Sequence, residues 1–247
     1  MEGSKRSAKQ IVPLVLEILK IKSVIDVGCG VGTWLSVFKE YGVEDILGVD
    51  GNWVDKKMLQ IPNDRFLSFD LTKPFRINRR FDLAISLEVA EHLSNEHAEA
   101  FVDSLVRLGP VILFSAAIPH QGGTGHLNEK WPDYWAEHFQ KRGYVVIDYI
   151  RKKVWQNDNV EPWYAQNMLI FAEKTYKENN VLLKRAFENT FSSQLSIVHP
   201  KSWSLMLARS EPKNMPLIKI LSVLPTVTAK SLNEKIWKLN RRRRFRS

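Results

Sequence analysis

Apolar residues follow two different spacings in the first 173 residues of the chain. Short apolar runs predict strands at 23–27, 46–49, 65–69, 81–87, 111–116, 144–150 and 168–173. Apolar residues at helical spacing predict helices at 33–41, 96–108 and 131–142, and another within the first 20 residues. This alternation predicts an α/β fold, with about seven mostly parallel strands in a Rossmann-like sheet and helices on both faces.

The pattern changes after residue 175. Stretches at 181–191 and 219–224 have helical spacing, but Pro200, Pro212, Pro216 and Pro225 interrupt the region. The last residues form a basic cluster at 241–246. We therefore predict one domain at 1–175 and a helical or irregular, basic C-terminal extension at 176–247.

Composition is typical of a globular protein, with 44% hydrophobic and 26% charged residues. The single cysteine, Cys29, excludes an internal disulfide, and no segment resembles a secretion signal or a membrane span, so we expect a cytoplasmic location. The net charge is +9, but residues 174–247 carry 16 basic and 4 acidic residues. The first 173 residues carry 20 basic and 23 acidic residues, which argues against a nucleic-acid channel there.

A glycine-rich loop directly follows the first predicted strand. Its glycines, Gly28, Gly30 and Gly32, allow a tight turn and a close backbone approach to a ligand. Glycines alone would also suit a dinucleotide. Asp26, two residues before the loop, can accept a hydrogen bond from an amino group, whereas a pyrophosphate would be repelled there. Asp50 ends the second strand, where it could accept both ribose hydroxyls.

These motifs, with Asp70 at the end of the third strand, resemble those of class I S-adenosylmethionine-dependent methyltransferases over about residues 22–173. The resemblance implies that the glycine loop holds methionine and ribose, that Asp50 binds ribose, that Asp70 binds adenine, and that Asp26 lies near the methionine amino group. The cofactor-binding residues it implies are Asp26, Gly28, Cys29, Gly30, Gly32, Thr33, Trp34, Asp50, Gly51, Asp70, Leu71 and Leu87.

The fourth strand runs into an acidic segment, Glu88 to His92, at the expected mouth of the pocket. Methyl transfer needs a positioned acceptor and removal of its proton. His92 could be a general base alone. Alternatively, Glu88, Glu91 and His92 could bind a divalent ion that lowers the pKa of an acceptor hydroxyl. A third interpretation is that Glu91 and His92 only stabilise a helix start.

The segment resembles the metal site of small-RNA 2′-O-methyltransferases and of ubiquinone-pathway catechol O-methyltransferases. That resemblance implies a catalytic and metal-binding set of Glu88, Glu91, His92 and a later histidine. His126, just before the 131–142 helix, matches the later histidine better than His120 does. Mg²⁺ or Mn²⁺ would suit these oxygen and nitrogen ligands.

The stretch 114–135 resembles a subgroup of methyltransferases associated with bacterial cell-surface polysaccharides, which implies a sugar or small hydroxyl acceptor. The residues predicted to contact substrate are His120, Trp131, Trp135, Trp163 and Tyr164, because aromatic faces stack well on sugars. The alternative for each tryptophan is an ordinary place in the core.

Three functions remain open from the sequence. The first is an O-methyltransferase for a small hydroxyl acceptor, such as a sugar or polysaccharide precursor. The second is an RNA 2′-O-methyltransferase, and the third is a non-catalytic cofactor-binding partner subunit. The basic tail could also hold the chain at a membrane surface, assisted by Ile236, Trp237 and Leu239. The oligomeric state is not predicted.

Overall fold

The computed structural model describes residues 2–211, 213 and 217–244, and for Lys219 and residues 232–244 it describes the backbone alone. The chain divides into two compact units, one ending at Ser202 and the other beginning at Trp203. The predicted cluster at 241–246 extends beyond the described residues, and so do the side chains of Ile236, Trp237 and Leu239.

The seven predicted strands are confirmed. They are β1 (Ser23–Val27), β2 (Asp45–Asp50), β3 (Phe66–Ser68), β4 (Leu83–Leu87), β5 (Val111–Ser115), β6 (Tyr144–Ile147) and β7 (Leu169–Glu173). They form one sheet in the order β3-β2-β1-β4-β5-β7-β6. Strands β1 to β5 pair in parallel, whereas β7 runs antiparallel to both β5 and β6. The predicted Rossmann-like architecture is therefore correct.

The strand order reverses between β1 and β4, because β2 and β3 lie to one side of β1 and the later strands lie beyond β4. The loops that leave the carboxyl ends of β1 and β4 consequently diverge. In open α/β sheets, ligands bind in the crevice at such a switch point. Here it brings together the glycine loop after Val27 and the acidic segment after Leu87.

The helices of the chain are α1 (Glu2–Ile18), α2 (Thr33–Glu40), α3 (Ala98–Leu108), α4 (Pro132–Gln140), α5 (Ile150–Val154), α6 (Pro162–Asn167), α7 (Lys174–Glu178), α8 (Val181–Glu188), α9 (Pro200–Ser210) and α10 (Leu217–Arg244). The predicted interruption at Pro225 is wrong, because α10 continues through it. Pro200 begins α9, a position where its missing N–H costs no hydrogen bond.

The sheet buries an apolar cluster on each face. Successive residues of β1 alternate between them, with Val24 in one cluster and Ile25 in the other. The first cluster includes buried residues of α1, α2 and α5, and the second includes those of α3 and α4. Both faces of the central strands are therefore dry, which explains their nearly continuous apolar sequences.

Residues 176–202 are part of the first compact unit, so the structure moves the predicted boundary from residue 175 to residue 202. Leu183 of α8 and Leu195 are both buried against the sheet clusters. Arg151, only 1% exposed, forms a bidentate ion pair with Asp148 and also donates to the carbonyl oxygens of Gln194 and Leu195. These contacts hold residues 194 and 195 against α5, although they lie more than 40 residues from Arg151 in sequence.

Among the described residues, no helix combines the length and apolar character that crossing a bilayer requires.

Replacing Arg151 by methionine should lower the free energy of unfolding by about 3–5 kcal/mol, because the buried Asp148 carboxylate and several carbonyls would lose their partner. Lys153→Met, two residues along on the exposed side of α5, should change it by less than about 1 kcal/mol. Urea titration of both variants checks this. Equal stability of the two would contradict the fastening role of Arg151.

Candidate active site

The glycine loop turns through the left-handed backbone region at Gly28 (φ 86°), Gly30 (φ 53°) and Gly32 (φ 80°). A Cβ atom on Gly28 would lie 2.3 Å from Val89 Cγ2, so a larger residue would collide with the segment after β4. The amide groups of Gly28 and Cys29 donate to the carbonyl oxygen of Val49. The hydrogen bonds to Val49 and the close packing of Gly28 on Val89 thus hold the loop against the ends of both β2 and β4.

Asp50 binds the glycine loop directly. Its Oδ2 accepts a 2.6 Å hydrogen bond from the Gly30 amide, and its Oδ1 accepts one of the same length from the Gly51 amide. The carboxylate is 7% exposed. Each oxygen retains a lone pair, so the predicted ribose contact is sterically and chemically compatible with this arrangement.

Asp26 lies in β1 beside this carboxylate and is 2% exposed. Burial raises its pKa well above the ordinary value, and the negative charge of Asp50 adds to this effect. A cationic amino group bound nearby would reverse that shift. This is the environment that the predicted contact with the methionine amino group requires.

Asp70 takes a more exposed position than the other two acids. Its Oδ1 accepts hydrogen bonds from the backbone and hydroxyl of Thr72, and these lower its pKa, with a smaller contribution from Lys73. Its neighbour Leu71 is buried. The adenine contact of Asp70 stays a prediction.

Trp53 is an aromatic residue at this edge that the sequence patterns did not single out. Its ring covers Gly51, where a Cβ would lie 2.1 Å from the indole, and it is 71% exposed. A strand-end glycine followed closely by a tryptophan is the signal that could have found it.

The remaining predicted cofactor residues are mostly buried. Thr33 begins α2, Leu87 ends β4, and burial raises the pKa of the Cys29 thiol. Trp34 packs edge-on against Tyr164, with the ring centroids 5.2 Å apart. These four residues shape the walls of the loop, and their contact with a cofactor stays a prediction.

Three of the four predicted metal-binding residues come together. Glu91, His92 and His126 each offer a ligand atom, and these atoms all lie within 4.8 Å of one another. The His92 and His126 rings meet edge-to-face at 4.9 Å. The backbone oxygen of Glu91 accepts from the amides of Leu127 and Asn128, which brings the later histidine to the earlier two residues.

Glu91 is the most unusual group in the cluster. It is fully buried, and neither carboxyl oxygen has a hydrogen-bond partner of normal geometry. Burial raises its pKa to about 9, and the charge of Glu88 contributes. Buried carboxyl groups are ordinarily paired, so this one calls for a cation or proton at the same place.

Both imidazoles are oriented by second hydrogen bonds. His92 Nδ1 donates to the Gly125 carbonyl at 3.3 Å, and His126 Nδ1 donates to Glu129 Oε1 at 2.9 Å. Nε2 of each ring therefore keeps the lone pair that a metal ion or a proton needs. Burial lowers the pKa of His92, with His126 adding to the effect.

Glu129, missed by the sequence patterns, organises the loop that carries His126. Besides the imidazole, its carboxylate accepts from the amides of His120 and Gly122. His120 has a left-handed backbone (φ 70°) and an exposed side chain outside the metal cluster. Its contact with substrate stays a prediction.

Glu88 takes contacts different from those of the other three. Its carboxylate accepts from the side-chain amides of Gln121 at 2.8 Å and Asn167 at 3.1 Å. Burial raises its pKa, while the hydrogen bonds from Asn167, Ser115 and Gln121 oppose the rise. Its backbone is left-handed (φ 55°), a strained conformation for a residue with a side chain.

The amides around Glu88 continue into the C-terminal part of the unit. Gln166 Nε2 donates to Asn167 Oδ1 at 2.9 Å, and Gln166 Oε1 accepts from the backbone amide of His199 at 2.9 Å. Because a backbone N–H can only donate, the direction of every amide up to Glu88 is set from His199. Only the fold reveals this network, since its members are scattered in sequence.

The four aromatic residues predicted to contact substrate differ in how far they are buried. Trp135 is 2% exposed and packs on Phe114 in the core, which corrects the prediction that it contacts substrate. Tyr164 is buried between α1 and α2 neighbours, and Trp163 is half-buried beside it. Trp131 is 40% exposed at the start of α4, and its substrate contact stays a prediction.

Replacing Asp50 by alanine should weaken binding of S-adenosylhomocysteine by about 1–3 kcal/mol, because ribose loses a charged acceptor and the glycine loop loses the hydrogen bond from the Gly30 amide. Asp45→Ala, at the opposite end of β2, removes a surface carboxylate and should leave the affinity unchanged. Calorimetry with both variants checks this. Wild-type affinity in the Asp50 variant would refute the ribose assignment.

Comparison with known proteins is consistent with this geometry. A family model described as a methyltransferase domain matches residues 4–168. A tRNA U34 carboxymethyltransferase of Pseudomonas fluorescens (strain Pf0-1) is 32% identical over 104 residues, 38% of this chain and 33% of that protein. The chain thus spans about a third of the length of this curated relative.

Solved structures share the fold. The methyltransferase domain of bacterial CtHen1 has a TM-score of 0.50 and 24% identity, over 68% of this chain and 97% of that one. The sugar N-methyltransferase KedS8 from Streptoalloteichus sp ATCC 53650 has a TM-score of 0.54 and 14% identity, over 68% and 87%. The family match over residues 4–168, with the glycine loop at the switch point of the sheet, shows that the chain belongs to the methyltransferase-domain family and is a class I S-adenosylmethionine-dependent methyltransferase.

Proposed function

We propose that this methyltransferase transfers the methyl group to a hydroxyl of a small acceptor, a sugar or polysaccharide precursor, with Mg²⁺ or Mn²⁺ held by Glu91, His92 and His126. The observation that carries the proposal is the buried Glu91 carboxyl, whose oxygens have no hydrogen-bond partner of normal geometry and which offers a ligand atom within 4.8 Å of those of two imidazoles. Oxygen and nitrogen donors in this combination suit these ions.

The residues present fit such an ion. The carboxyl of Glu91 would be a charged ligand without a competing partner, and the Nε2 atoms of His92 and His126 are free of the hydrogen bonds that orient the rings. When bound, the ion would supply the positive charge that lowers the pKa of an acceptor hydroxyl.

The transfer itself is an in-line displacement. The acceptor oxygen forms a bond to the methyl carbon as the carbon–sulfur bond breaks, leaving S-adenosylhomocysteine, and the hydroxyl proton passes to a base. Placement of the two reactants accounts for most of what the protein must do. In the rival form of the proposal, His92 takes the proton and no ion is needed.

Glu88 and its amide partners are suited to positioning the acceptor. The carboxylate is held by Asn167 and Gln121, so it presents its remaining lone pairs in a fixed direction. Carboxylates and amides are the groups that recognise sugar hydroxyls by hydrogen bonding. The resemblance of residues 114–135 to polysaccharide-associated methyltransferases supports the same acceptor class.

An RNA 2′-hydroxyl is the second candidate acceptor, favoured by the excess of basic residues after Ser202. The unit that contains the site argues against it, because residues 1–202 carry 25 basic and 25 acidic residues. A groove that binds a phosphate backbone would charge that unit positively.

Mn²⁺ should bind to the protein saturated with S-adenosylhomocysteine, and His126→Ala should weaken that binding at least about tenfold through loss of one ligand. His120→Asn is the matched control, since it removes a histidine of the same loop and asparagine tolerates the left-handed backbone. Calorimetry with Mn²⁺ alone as titrant measures both. Equal affinity for Mn²⁺ in the two variants would remove His126 from the site.

Turnover is tested by following release of S-adenosylhomocysteine with a panel of nucleotide sugars, oligosaccharides and RNA. Chelator should suppress turnover of a saccharide while cofactor affinity stays unchanged, and Mg²⁺ or Mn²⁺ should restore it. Full activity after exhaustive chelation would leave His92 as the base. Turnover of RNA alone, with a steep salt dependence, would instead identify the second candidate.

A further inference from the structure

The whole net charge of the chain lies in the second compact unit. Residues 203–247 carry 11 basic and 2 acidic residues, which equals the +9 of the full sequence, whereas residues 1–202 are neutral. Five of the basic residues are arginines within 241–246. An attraction to an anionic surface would therefore act through the second unit alone.

The same unit exposes apolar side chains along the first half of α10. Leu217, Leu221 and Leu224 repeat at helical spacing, and Ile218 and Val227 lie beside them. Their exposures run from 50% for Leu224 to 79% for Ile218. Ser222, Thr226 and Lys230 share a narrower polar side at spacings of four residues.

We propose that α10 binds the surface of an anionic membrane, with Leu217, Ile218, Leu221 and Leu224 entering the boundary between headgroups and acyl chains and the net positive charge of residues 203–247 supplying the attraction to acidic headgroups. An interfacial helix combines an apolar side with clustered basic residues in this way. The exposed Trp203 of α9 is of the type enriched at membrane interfaces.

A second copy of the chain fits the helix less well. Apolar residues at coiled-coil spacing (217, 220, 224 and 227) give way to Ser231 and Glu234, so the seam ends after two heptads. The exposed Ile218 and Leu221 also lie outside such a seam. Two copies in register would bring their arginine clusters together, which like charges oppose.

RNA fits less well for a different reason. Phosphate contacts need the basic residues but not a row of exposed leucines and isoleucine. A membrane would bury the exposed apolar side chains of α10, whereas RNA would leave them exposed to water.

The test is cosedimentation of the full chain with phosphatidylcholine vesicles, with and without phosphatidylglycerol. We expect binding to the anionic vesicles that weakens with salt. The double variant Leu221→Asp with Leu224→Asp should bind at least about tenfold more weakly, since two apolar contacts are lost and two negative charges gained. Replacing Arg241, Arg242, Arg243 and Arg244 by glutamine should also weaken binding at least about tenfold.

The matched control is Val181→Asp with Leu182→Asp, which adds the same charge at two exposed apolar positions of α8 in the first unit. It should bind vesicles like the wild type. Unchanged affinity for S-adenosylhomocysteine verifies that each variant is folded.

Several results would overturn the proposal. Equal binding to vesicles with and without phosphatidylglycerol would remove the basic residues from membrane binding, and an equal loss in the α8 control would remove the α10 surface from it. Tight binding of single-stranded RNA without binding to vesicles would assign the basic cluster to nucleic acid. A dimer in analytical ultracentrifugation that the α10 double variant disperses would assign the apolar side to a second copy.

Discussion

The reversal of strand order between β1 and β4 is the constraint on which the site depends. Because the connections after β1 and β4 leave the sheet in opposite directions, the backbone after Val27 and the backbone after Leu87 face a common crevice. Gly28 must lack a side chain for this to hold, since Val89 occupies the space where its Cβ would lie. The glycine loop and the segment after β4 are therefore packed against each other, so that neither can shift alone.

Polar groups in this crevice are held in states that would be costly in an ordinary core. Glu91 is buried without a hydrogen-bond partner of normal geometry, Glu88 has a left-handed backbone, and Asp26 has a pKa raised by burial and by Asp50. Asn128, beside the Glu91 contact, is also buried with both ends of its side-chain amide unpaired. Unsatisfied groups and backbone strain cluster at sites that bind something, because a ligand supplies the missing partner.

The sequence predicted the sheet because buried parallel strands need uninterrupted apolar runs. It also placed Asp50 at the end of β2, where the carboxylate binds the Gly30 amide of the glycine loop, while the ribose contact stays a prediction. It could not predict that Arg151 would bind Gln194 and Leu195, since contacts between carbonyls and a distant guanidinium leave no periodic pattern. For that reason the sequence pattern did not show that residues 176–202 belong to the first compact unit. Pro225 misled differently, because a proline inside a helix can bend it without ending it, and α10 continues through this position.

The separation of charge bears on how methyl transfer and the proposed membrane binding would combine. A neutral unit that contains the glycine loop exerts little long-range attraction, so the proposed small acceptor would be recognised by short-range hydrogen bonds such as those available at Glu88 and Asn167. The basic unit acts over longer distances but is screened by salt. Salt should accordingly change where the protein resides without changing how tightly it holds its cofactor. Methyl transfer and the proposed membrane binding would then depend on separate sets of residues.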